Sequence, residues 1–287
     1  MNHIKDQIRC GAAYRLGLTG KGIGVAVLDT GIFLHRDFDS RVTGFADMVN
    51  RRNFAYDDCG HGTHICGIIG GSGRMSGGRY SGIAPGCNLI MVKVLDRKGN
   101  GYSSDVLAGI SWILERKEKL GIRILNISVG ACSKRGMSEN SALVKGVNRA
   151  WDAGLVVVVA AGNNGPRTMS ITTPGISRKV ITVGCSDDGR EVLVGGNRMV
   201  DYSGPTAACI CKPDLVAPGC SVVSCSSRAD KYTIKSGTSM STPIVSGAVA
   251  LLLERFPDMS NKDVKLRLRE SSVDIGLPRN QQGWGLL

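Results

Sequence analysis

The sequence predicts an α/β fold with a mostly parallel central sheet flanked by helices. Four nearly continuous runs of valine, isoleucine and leucine are typical of strands covered on both faces, and they occupy residues 23–28, 89–95, 122–129 and 155–160. Amphipathic stretches of helical length separate these runs. Because alternating strands and helices need crossover connections, which are almost always right-handed, we expect the strands to be parallel in one sheet.

Two predicted helices lie between the later strands. Residues 104–119 carry an apolar stripe at helical spacing, and Ser103 or Ser104 is the expected cap at its start. Residues 138–151 repeat the pattern and stop before Gly154, a residue type that commonly ends helices. These stretches supply the apolar faces that would cover the sheet.

Two further predicted helices begin at polar motifs. One runs from His61 to Ile69, and the other follows Ser239, with Pro243 in its first turn and an apolar stretch over residues 244–253. In parallel sheets, functional groups collect at the carboxyl ends of the strands. Three polar residues follow predicted strands in this way: Asp29, Ser128 and Asn163.

Length and composition indicate a single domain covering residues 1–287. A chain of 287 residues with 42% apolar content can bury a full core. No apolar run approaches the roughly 20 residues that span a bilayer, so no membrane partner is expected. The first ten residues have no apolar core and no small-residue cleavage site, so they are not a secretory signal. Either the protein stays in the cytoplasm, which is the location we expect, or a leader has been removed from this sequence.

The distribution of charge and of cysteines argues against a nucleic-acid-binding protein and against a metal-binding protein. The net charge of +12 comes from scattered residues that form no recognisable module, so nucleic acid is not an expected partner. The ten cysteines should be thiols in a reducing compartment. Cys209 and Cys211 are separated by one residue, which suits neither a zinc knuckle nor a thioredoxin-type pair. We therefore expect no metal and no cofactor.

Asp29, His61 and Ser239 each lie in a glycine-marked turn at the end of an apolar run. A serine hydroxyl is a poor nucleophile unless a neutral imidazole takes its proton, and a buried carboxylate must fix the tautomer of that imidazole. On spacing alone His64 competes with His61 for the role of base. The segments are Val-Ala-Val-Leu-Asp-Thr-Gly at 25–31, Asp-Cys-Gly-His-Gly-Thr-His at 58–64 and Ser-Gly-Thr-Ser-Met-Ser-Thr-Pro at 236–243.

These segments, in the order Asp, His, Ser and with Ala-Ala-Gly-Asn-Asn-Gly at 160–165, resemble the subtilisin-like serine proteases, or subtilases. The resemblance covers about Thr19 to the C-terminus and is strongest to the cytoplasmic bacterial alkaline serine proteases. It implies a three-layer subtilisin-like fold and an endopeptidase that cleaves extended or unfolded polypeptides. It also favours His61 as the base and leaves His64 as a structural hydrogen-bonding residue. Nothing in the sequence indicates an oligomeric state.

The resemblance implies roles for further residues. Asn163 would donate to the oxyanion together with the backbone N–H of Ser239, and Asn164 would be a turn residue. The base of the S1 pocket, which holds the side chain before the cleaved bond, would be Thr172 or Thr173; with no carboxylate nearby, S1 should accept apolar or medium-sized side chains. The substrate-binding segments would be Gly99, Asn100 and Gly101 on one side, Ser128, Val129 and Gly130 on the other, and Ala160, Ala161 and Gly162 along the S1 wall.

The sequence is compatible with two alternatives to an endopeptidase. The same apparatus would serve a serine esterase, and a catalytically silent homologue could capture peptides without cleaving them. Asp57 and Asp58 are interpreted as solvated turn residues, Cys66 as a small core residue and His35 as a surface or loop residue.

Asp37 is the carboxylate that the resemblance offers to a calcium site. Many secreted subtilases bind calcium through an aspartate after the first motif and an asparagine-rich loop after the histidine helix. Here the loop at residues 70–80 contains no Asp, Asn or Glu and carries Arg74 and Arg79. Because calcium takes about six to eight oxygen ligands, we expect no high-affinity calcium at this place and interpret Asp37 as a turn or cap residue.

Overall fold

The computed structural model describes residues 1–130, 140–165, 170–187 and 212–287, and the backbone of two short strands between 193 and 198. The strands are β1 (Gly24–Asp29), β2 (Val42–Asp47), β3 (Asn88–Lys93), β4 (Ile122–Ile127), β5 (Val156–Ala160), β6 (Ile181–Cys185), β7 (Leu193–Val194), β8 (Asn197–Arg198), β9 (Leu215–Ala217), β10 (Val222–Cys225) and β11 (Tyr232–Lys235). The helices are α1 (Asn2–Gln7), α2 (Gly11–Arg15), α3 (His61–Gly70), α4 (Ser103–Arg116), α5 (Ala142–Asp152), α6 (Thr238–Arg255), α7 (Asn261–Ser271) and α8 (Arg279–Gln282).

The central sheet has seven strands in the order β2-β3-β1-β4-β5-β6-β9, and every neighbouring pair is parallel. The four predicted apolar runs become β1, β3, β4 and β5, and they form the middle of this sheet. All residues of β1 and β5 are buried, as expected for strands covered on both faces. The predicted α/β class and parallel sheet are confirmed.

Helices pack in pairs against the sheet. The pair α3 and α6 contacts β1 and β3 to β6, and the pair α4 and α5 contacts β1 and β5. This arrangement places α6 directly behind the strands that carry the polar motifs. Because the helices cover the faces of the sheet, the ends of the strands that carry the motif residues can be approached only from the edge of the sheet.

Two predicted helix starts were wrong in detail. The N-cap of α4 is Tyr102, without a side-chain cap, because the helix begins early enough to include Ser103 and Ser104 in its first turn. Pro243 lies in the second turn of α6 because that helix begins at Thr238. By contrast, Ser141 caps α5 by accepting a hydrogen bond from Val144 N–H at 3.3 Å.

In the part of the chain that the structure describes, no helix has both the length and the apolar character needed to cross a bilayer. The longest helix, α6, has 18 residues and includes serine, threonine and arginine.

Candidate active site

The three motif residues occupy the ends of elements at one edge of the sheet. Asp29 is the last residue of β1, His61 is the first residue of α3, and Ser239 is the second residue of α6. Glycine permits the close contact between two of these elements: a Cβ on Gly62 would lie 2.2 Å from the carbonyl oxygen of Gly31. The start of α3 is therefore packed directly on the turn that follows Asp29.

The carboxylate of Asp29 holds the imidazole of His61. His61 Nδ1 lies 2.7 Å from Oδ1 and 2.9 Å from Oδ2, and Asp29 is fully buried while the side chain of His61 is 22% exposed. Burial lowers the pKa of His61, the charge and hydrogen bond of Asp29 act in the opposite direction, and the net pKa is raised. Since Nδ1–H is committed to the carboxylate, Nε2 is the nitrogen that can take a proton.

Asp57 fixes the start of α3, which contradicts its interpretation as a solvated turn residue. Its Oδ1 accepts hydrogen bonds from Thr30 Oγ1 at 2.9 Å, Cys59 N at 3.1 Å and Gly60 N at 2.8 Å. Its Oδ2 accepts from Thr63 N at 2.9 Å and Thr63 Oγ1 at 2.6 Å. One carboxylate thus ties the turn after Asp29 to the first turn of the histidine helix.

Asp58 is also more than a solvated turn residue, because it pairs with a buried cation. The fully buried Nζ of Lys93 donates to Asp58 Oδ1 at 2.7 Å, to Thr30 O at 2.6 Å and to Leu95 O at 2.7 Å. Lys93 ends β3 beside Asp29 in the parallel register. Sequence reasoning missed this lysine; its place at the end of an apolar run next to Val and Leu was the available signal.

The hydroxyl of Ser239 is hydrogen-bonded to a backbone carbonyl rather than to His61 in this structure. It donates a hydrogen bond of 2.8 Å to the carbonyl oxygen of Ser128, which follows β4. The backbone N–H of Ser239 lies in the first turn of α6, where the amide groups have no acceptor within the helix. Pro243 has no N–H, so the carbonyl of Ser239 receives no bond from four residues ahead in the helix.

Asn163 is oriented by Thr238. The amide oxygen of Asn163 accepts hydrogen bonds from Thr238 N at 3.2 Å and Thr238 Oγ1 at 2.8 Å. Because the oxygen is held in this way, the NH₂ group of Asn163 is left for another acceptor. Sequence reasoning identified Asn163 but missed Thr238, which directly precedes Ser239.

A cleft of about 210 Å³ brings together the two predicted backbone-binding segments. Gly99, Asn100 and Gly101 line one side and Val129 and Gly130 line the other. The remaining lining is mostly apolar and consists of Leu95, Tyr102, Ser103, Val106, Ile127, Leu143, Thr173 and Pro174. Tyr102 is 78% exposed at its rim.

Thr172 lies between the other predicted substrate-binding residues. A Cβ on Gly130 would be 2.1 Å from Thr172 Oγ1, and one on Gly162 would be 2.4 Å from Thr172 Cγ2. Thr172 N–H also donates to the carbonyl of Ala161 at 2.8 Å. Ala160 and Ala161 are buried at the end of β5. The side chain of Thr172 therefore occupies the space between the two glycines, whereas Thr173 faces the neighbouring cleft.

Two other histidines, His64 and His35, are buried, whereas His3 is exposed. His64 Nε2 lies 3.1 Å from Val222 O and 3.2 Å from Thr233 O, in agreement with a structural role, and burial lowers its pKa to about 3. His35 was expected to be a surface or loop residue, and the structure places it in a loop but not at the surface. It is only 1% exposed, because it packs between Phe38 and Tyr232.

Asp37 receives donors at both oxygens. Met75 N–H donates to Oδ1 at 2.9 Å and Tyr232 O–H donates to Oδ2 at 2.7 Å. The N–H of Met75 and the O–H of Tyr232 therefore point at the two oxygens that a calcium ion would need as ligands, and the ion would have to displace both. This supports the expectation that calcium does not bind here.

Cys66 is fully buried in α3, and burial raises the pKa of its thiol. Cys209 and Cys211 lie outside the described residues.

Comparisons with known proteins agree with this geometry. Residues 20–285 match the family model described as Peptidase S8, the Subtilase family. The chain is 42% identical to "Serine protease AprX" of Bacillus subtilis (strain 168), covering 94% of this chain and 65% of AprX. It is 34% identical to "Subtilisin Savinase" of Lederbergia lenta, covering 98% of this chain and 94% of that protein. The chain therefore spans just under two thirds of AprX and nearly all of Savinase.

Among solved structures, the chain is similar to one titled "Crystal structure of a cold adapted subtilisin-like serine proteinase". The TM-score is 0.74 at 27% sequence identity, with 94% of this chain and 89% of that chain covered. A parallel α/β sheet with aspartate, histidine and serine at its carboxyl edge defines the class of serine hydrolases to which these proteins belong. The chain is a member of the subtilase family of serine proteases. The predicted resemblance is confirmed.

Proposed function

We propose that Ser239, His61, Asp29 and Asn163 carry out peptide-bond hydrolysis in this serine endopeptidase. The observation that carries the proposal is the 2.7 Å contact between His61 Nδ1 and a fully buried carboxylate, at the start of a helix that packs against α6, the helix that carries Ser239. That contact fixes the tautomer in which Nε2 accepts a proton.

Substrate binding would align the nucleophile. The Ser128 carbonyl, which holds Ser239 Oγ at 2.8 Å, directly precedes the cleft residues Val129 and Gly130 and would instead accept an N–H from an extended substrate backbone. The displaced hydroxyl then turns toward His61 Nε2. Hydrogen bonds of this kind commonly tighten only when substrate is bound.

The reaction then proceeds in two halves. Ser239 Oγ attacks the substrate carbonyl, its proton passes to His61 Nε2, and the negative oxygen accepts hydrogen bonds from Ser239 N–H and Asn163 NH₂. His61 returns the proton to the leaving amine as the C–N bond breaks, which leaves an acyl-enzyme. Water attacks the acyl group by the same route and restores Ser239.

The substrate is proposed to be an extended or unfolded polypeptide. Gly99, Asn100 and Gly101 would bind its backbone on one side, and Ser128, Val129 and Gly130 on the other. Support comes from the 210 Å³ apolar cleft, which has the size for one aliphatic or aromatic side chain of the substrate.

Thr172 is proposed to restrict S1 to small or medium uncharged side chains. Its methyl and hydroxyl groups stand between Gly130 and Gly162, where the side chain at the cleaved bond would enter. We expect Thr172→Gly to raise kcat/KM for a phenylalanine at this position more than for an alanine. Equal changes for both peptides would contradict this assignment.

We also propose that the chain forms a single domain, that the protein is cytoplasmic, and that it has neither a nucleic acid nor a membrane as partner. The central sheet includes β1 to β6 and β9, and Leu286, near the C-terminus, bridges to Val216 of β9, which supports one domain. Several cysteines carry buried thiols, including Cys66, Cys87 and Cys225, as is typical of a reducing compartment.

A fluorophosphonate probe tests the function. We expect labelling of Ser239 in the folded protein, no labelling of Ser239→Ala, and cleavage of unfolded casein by the wild type alone. A peptide amide and its matching ester distinguish the esterase alternative: an enzyme that cleaves only the ester overturns the proposal. A folded protein that is not labelled would be a silent peptide-binding homologue.

A further inference from the structure

Two clusters in the described residues each bring three possible metal ligands within 4.8 Å of one another. The first consists of His35, Asp37 and Cys225, all buried. All three side chains are closed off from solvent, so an incoming ion has no open approach to them. They also hold the surrounding loop together: His35 Nδ1 accepts from Asp37 N–H at 3.1 Å, and Asp37 accepts hydrogen bonds from Met75 N–H and Tyr232 O–H. This cluster is a hydrogen-bonded support for its loop.

The second cluster differs from the first because it contains two cysteines and because solvent reaches two of its three residues. Cys185 ends β6, Asp187 follows two residues later, and Cys220 lies between β9 and β10. Cys185 is buried, while Asp187 and Cys220 are half-buried and reachable from solvent. We propose that Cys185, Asp187 and Cys220 bind a thiophilic divalent cation, with Zn²⁺ as the representative ion.

The carboxylate of this cluster is positioned by the backbone. Asp187 Oδ2 accepts hydrogen bonds from Gly219 N at 3.1 Å and Cys220 N at 3.2 Å, and Ser186 Oγ donates to Oδ1 at 3.3 Å. The Cys220 thiol lies 3.9 Å from the carbonyl oxygen of Asp187. Ligands held by such outer contacts lose less freedom when an ion binds.

The ligand separations suit tetrahedral zinc after small side-chain rotations. With Zn–S near 2.3 Å and Zn–O near 2.1 Å, two sulfurs would be about 3.8 Å apart and sulfur and oxygen about 3.6 Å apart. The atoms now lie within 4.8 Å of one another. Binding would release two thiol protons to solvent, and water would complete the coordination. Two thiolates favour zinc over calcium or magnesium, which prefer oxygen.

The site adjoins the segment that supports the nucleophile turn. Gly237 N–H donates to Gly219 O at 3.0 Å, and Ser221 N–H donates to Ser236 Oγ at 2.9 Å. Ser241 Oγ donates to Ala217 O at 2.8 Å. An ion that draws Cys220 toward Cys185 would therefore shift the segment bonded on both sides of Ser239. We expect zinc to inhibit hydrolysis.

Cobalt(II) provides the direct test, because thiolate ligands give it an intense charge-transfer absorption. The titration uses the full chain carrying Ser239→Ala, which makes the binding result independent of any activity. We expect one equivalent of Co²⁺ to produce the absorption and Zn²⁺ to displace it. Cys185→Ser and Cys220→Ser should each abolish the absorption, and Asp187→Asn should weaken Co²⁺ affinity at least about tenfold.

Cys225→Ser, from the first cluster, is the matched control and should leave the Co²⁺ spectrum unchanged. Circular dichroism of each variant without metal verifies that it is folded; Cys220→Ala replaces the serine variant if that one unfolds. An absorption that survives in Cys185→Ser and Cys220→Ser, or that disappears in Cys225→Ser, overturns the proposal. So does the absence of any thiolate absorption in the parent chain.

The activity arm uses the wild-type chain and a peptide amide. Zn²⁺ should lower its kcat, and Cys220→Ser should be at least about tenfold less sensitive to Zn²⁺, in line with the loss of one ligand. Equal inhibition of both proteins would show that zinc acts elsewhere and would overturn the link to the nucleophile turn.

Discussion

Asp57→Ala should damage the active site without any loss of a group that touches substrate. The change removes the acceptor for hydrogen bonds from Thr30, Cys59, Gly60 and Thr63. Loss of the acceptor for the backbone N–H groups at the start of α3 should lower the unfolding free energy by about 2 kcal/mol, which is the upper range for a lost helix cap. The hydroxyls of Thr30 and Thr63 are fully buried, and leaving them without this acceptor costs about 1–3 kcal/mol more.

The total is about 3–5 kcal/mol of unfolding free energy, which corresponds to a fall in Tm of roughly 10 °C for a domain of this size. His61 begins the same helical turn, and a displacement near 1 Å can reduce turnover about 10²-fold. We therefore expect kcat to fall by about that factor at a temperature where the variant is still folded. The negative charge of Asp57 also raises the pKa of His61, so the acid limb of the pH profile should move to lower pH.

Asp263→Ala is the matched control. Asp263 forms a capping box with Ser260 at the start of α7, and its carboxylate is exposed and remote from Asp29 and His61. The control should lower stability only slightly, through the lost helix cap, with no change in kcat or in the pH profile. Differential scanning calorimetry and peptide-amide kinetics give both quantities. If Asp57→Ala lowers kcat no more than the control does, Asp57 does not position His61.

Three further outcomes are expected. Asn163→Ala should lower kcat about 10²–10³-fold with little change in KM, the loss typical of one oxyanion donor; steady-state kinetics that show a raised KM instead would assign Asn163 to ordinary substrate binding. Activity should rise with pH, because only neutral His61 accepts the serine proton, and the midpoint should lie above the ordinary histidine pKa of about 6.5 because the pKa of His61 is raised; a profile flat between about pH 5 and 9 would argue against His61 as base. Calorimetric titration with Ca²⁺ should show no high-affinity binding that Asp37→Asn removes, since both carboxylate oxygens already accept hydrogen bonds; a calcium ion held by Asp37 and carbonyls of residues 70–80 would refute this.

The local pattern predicted the middle of the fold well. Runs that became β1, β3, β4 and β5 are apolar on both faces, and such runs are recognisable because each residue is selected for burial. Three strands of the sheet were not predicted: β2 is only partly apolar and half-exposed, β6 interrupts its Ile and Val with Thr and Gly, and the apolar run of β9 is only three residues long. Short or edge strands depend on pairing with a neighbour, which a local pattern does not encode.

By itself, the sequence determined the fold class and the family, and it led to the proposal of Asp29, His61, Ser239 and Asn163 as site residues, because these features depend on residue type and spacing along the chain. Tertiary structure decided which neighbours hold those residues in place. The hydrogen bonds that Thr30 donates to Asp57 and Thr238 donates to Asn163 span 27 and 75 positions of the chain. The approach of Cys185 to Cys220 was likewise decided by the pairing of β6 with β9. Hydrogen-bond geometry is set over about 3 Å in space, so residues far apart in sequence acquire these roles only once the sheet has brought their strands together.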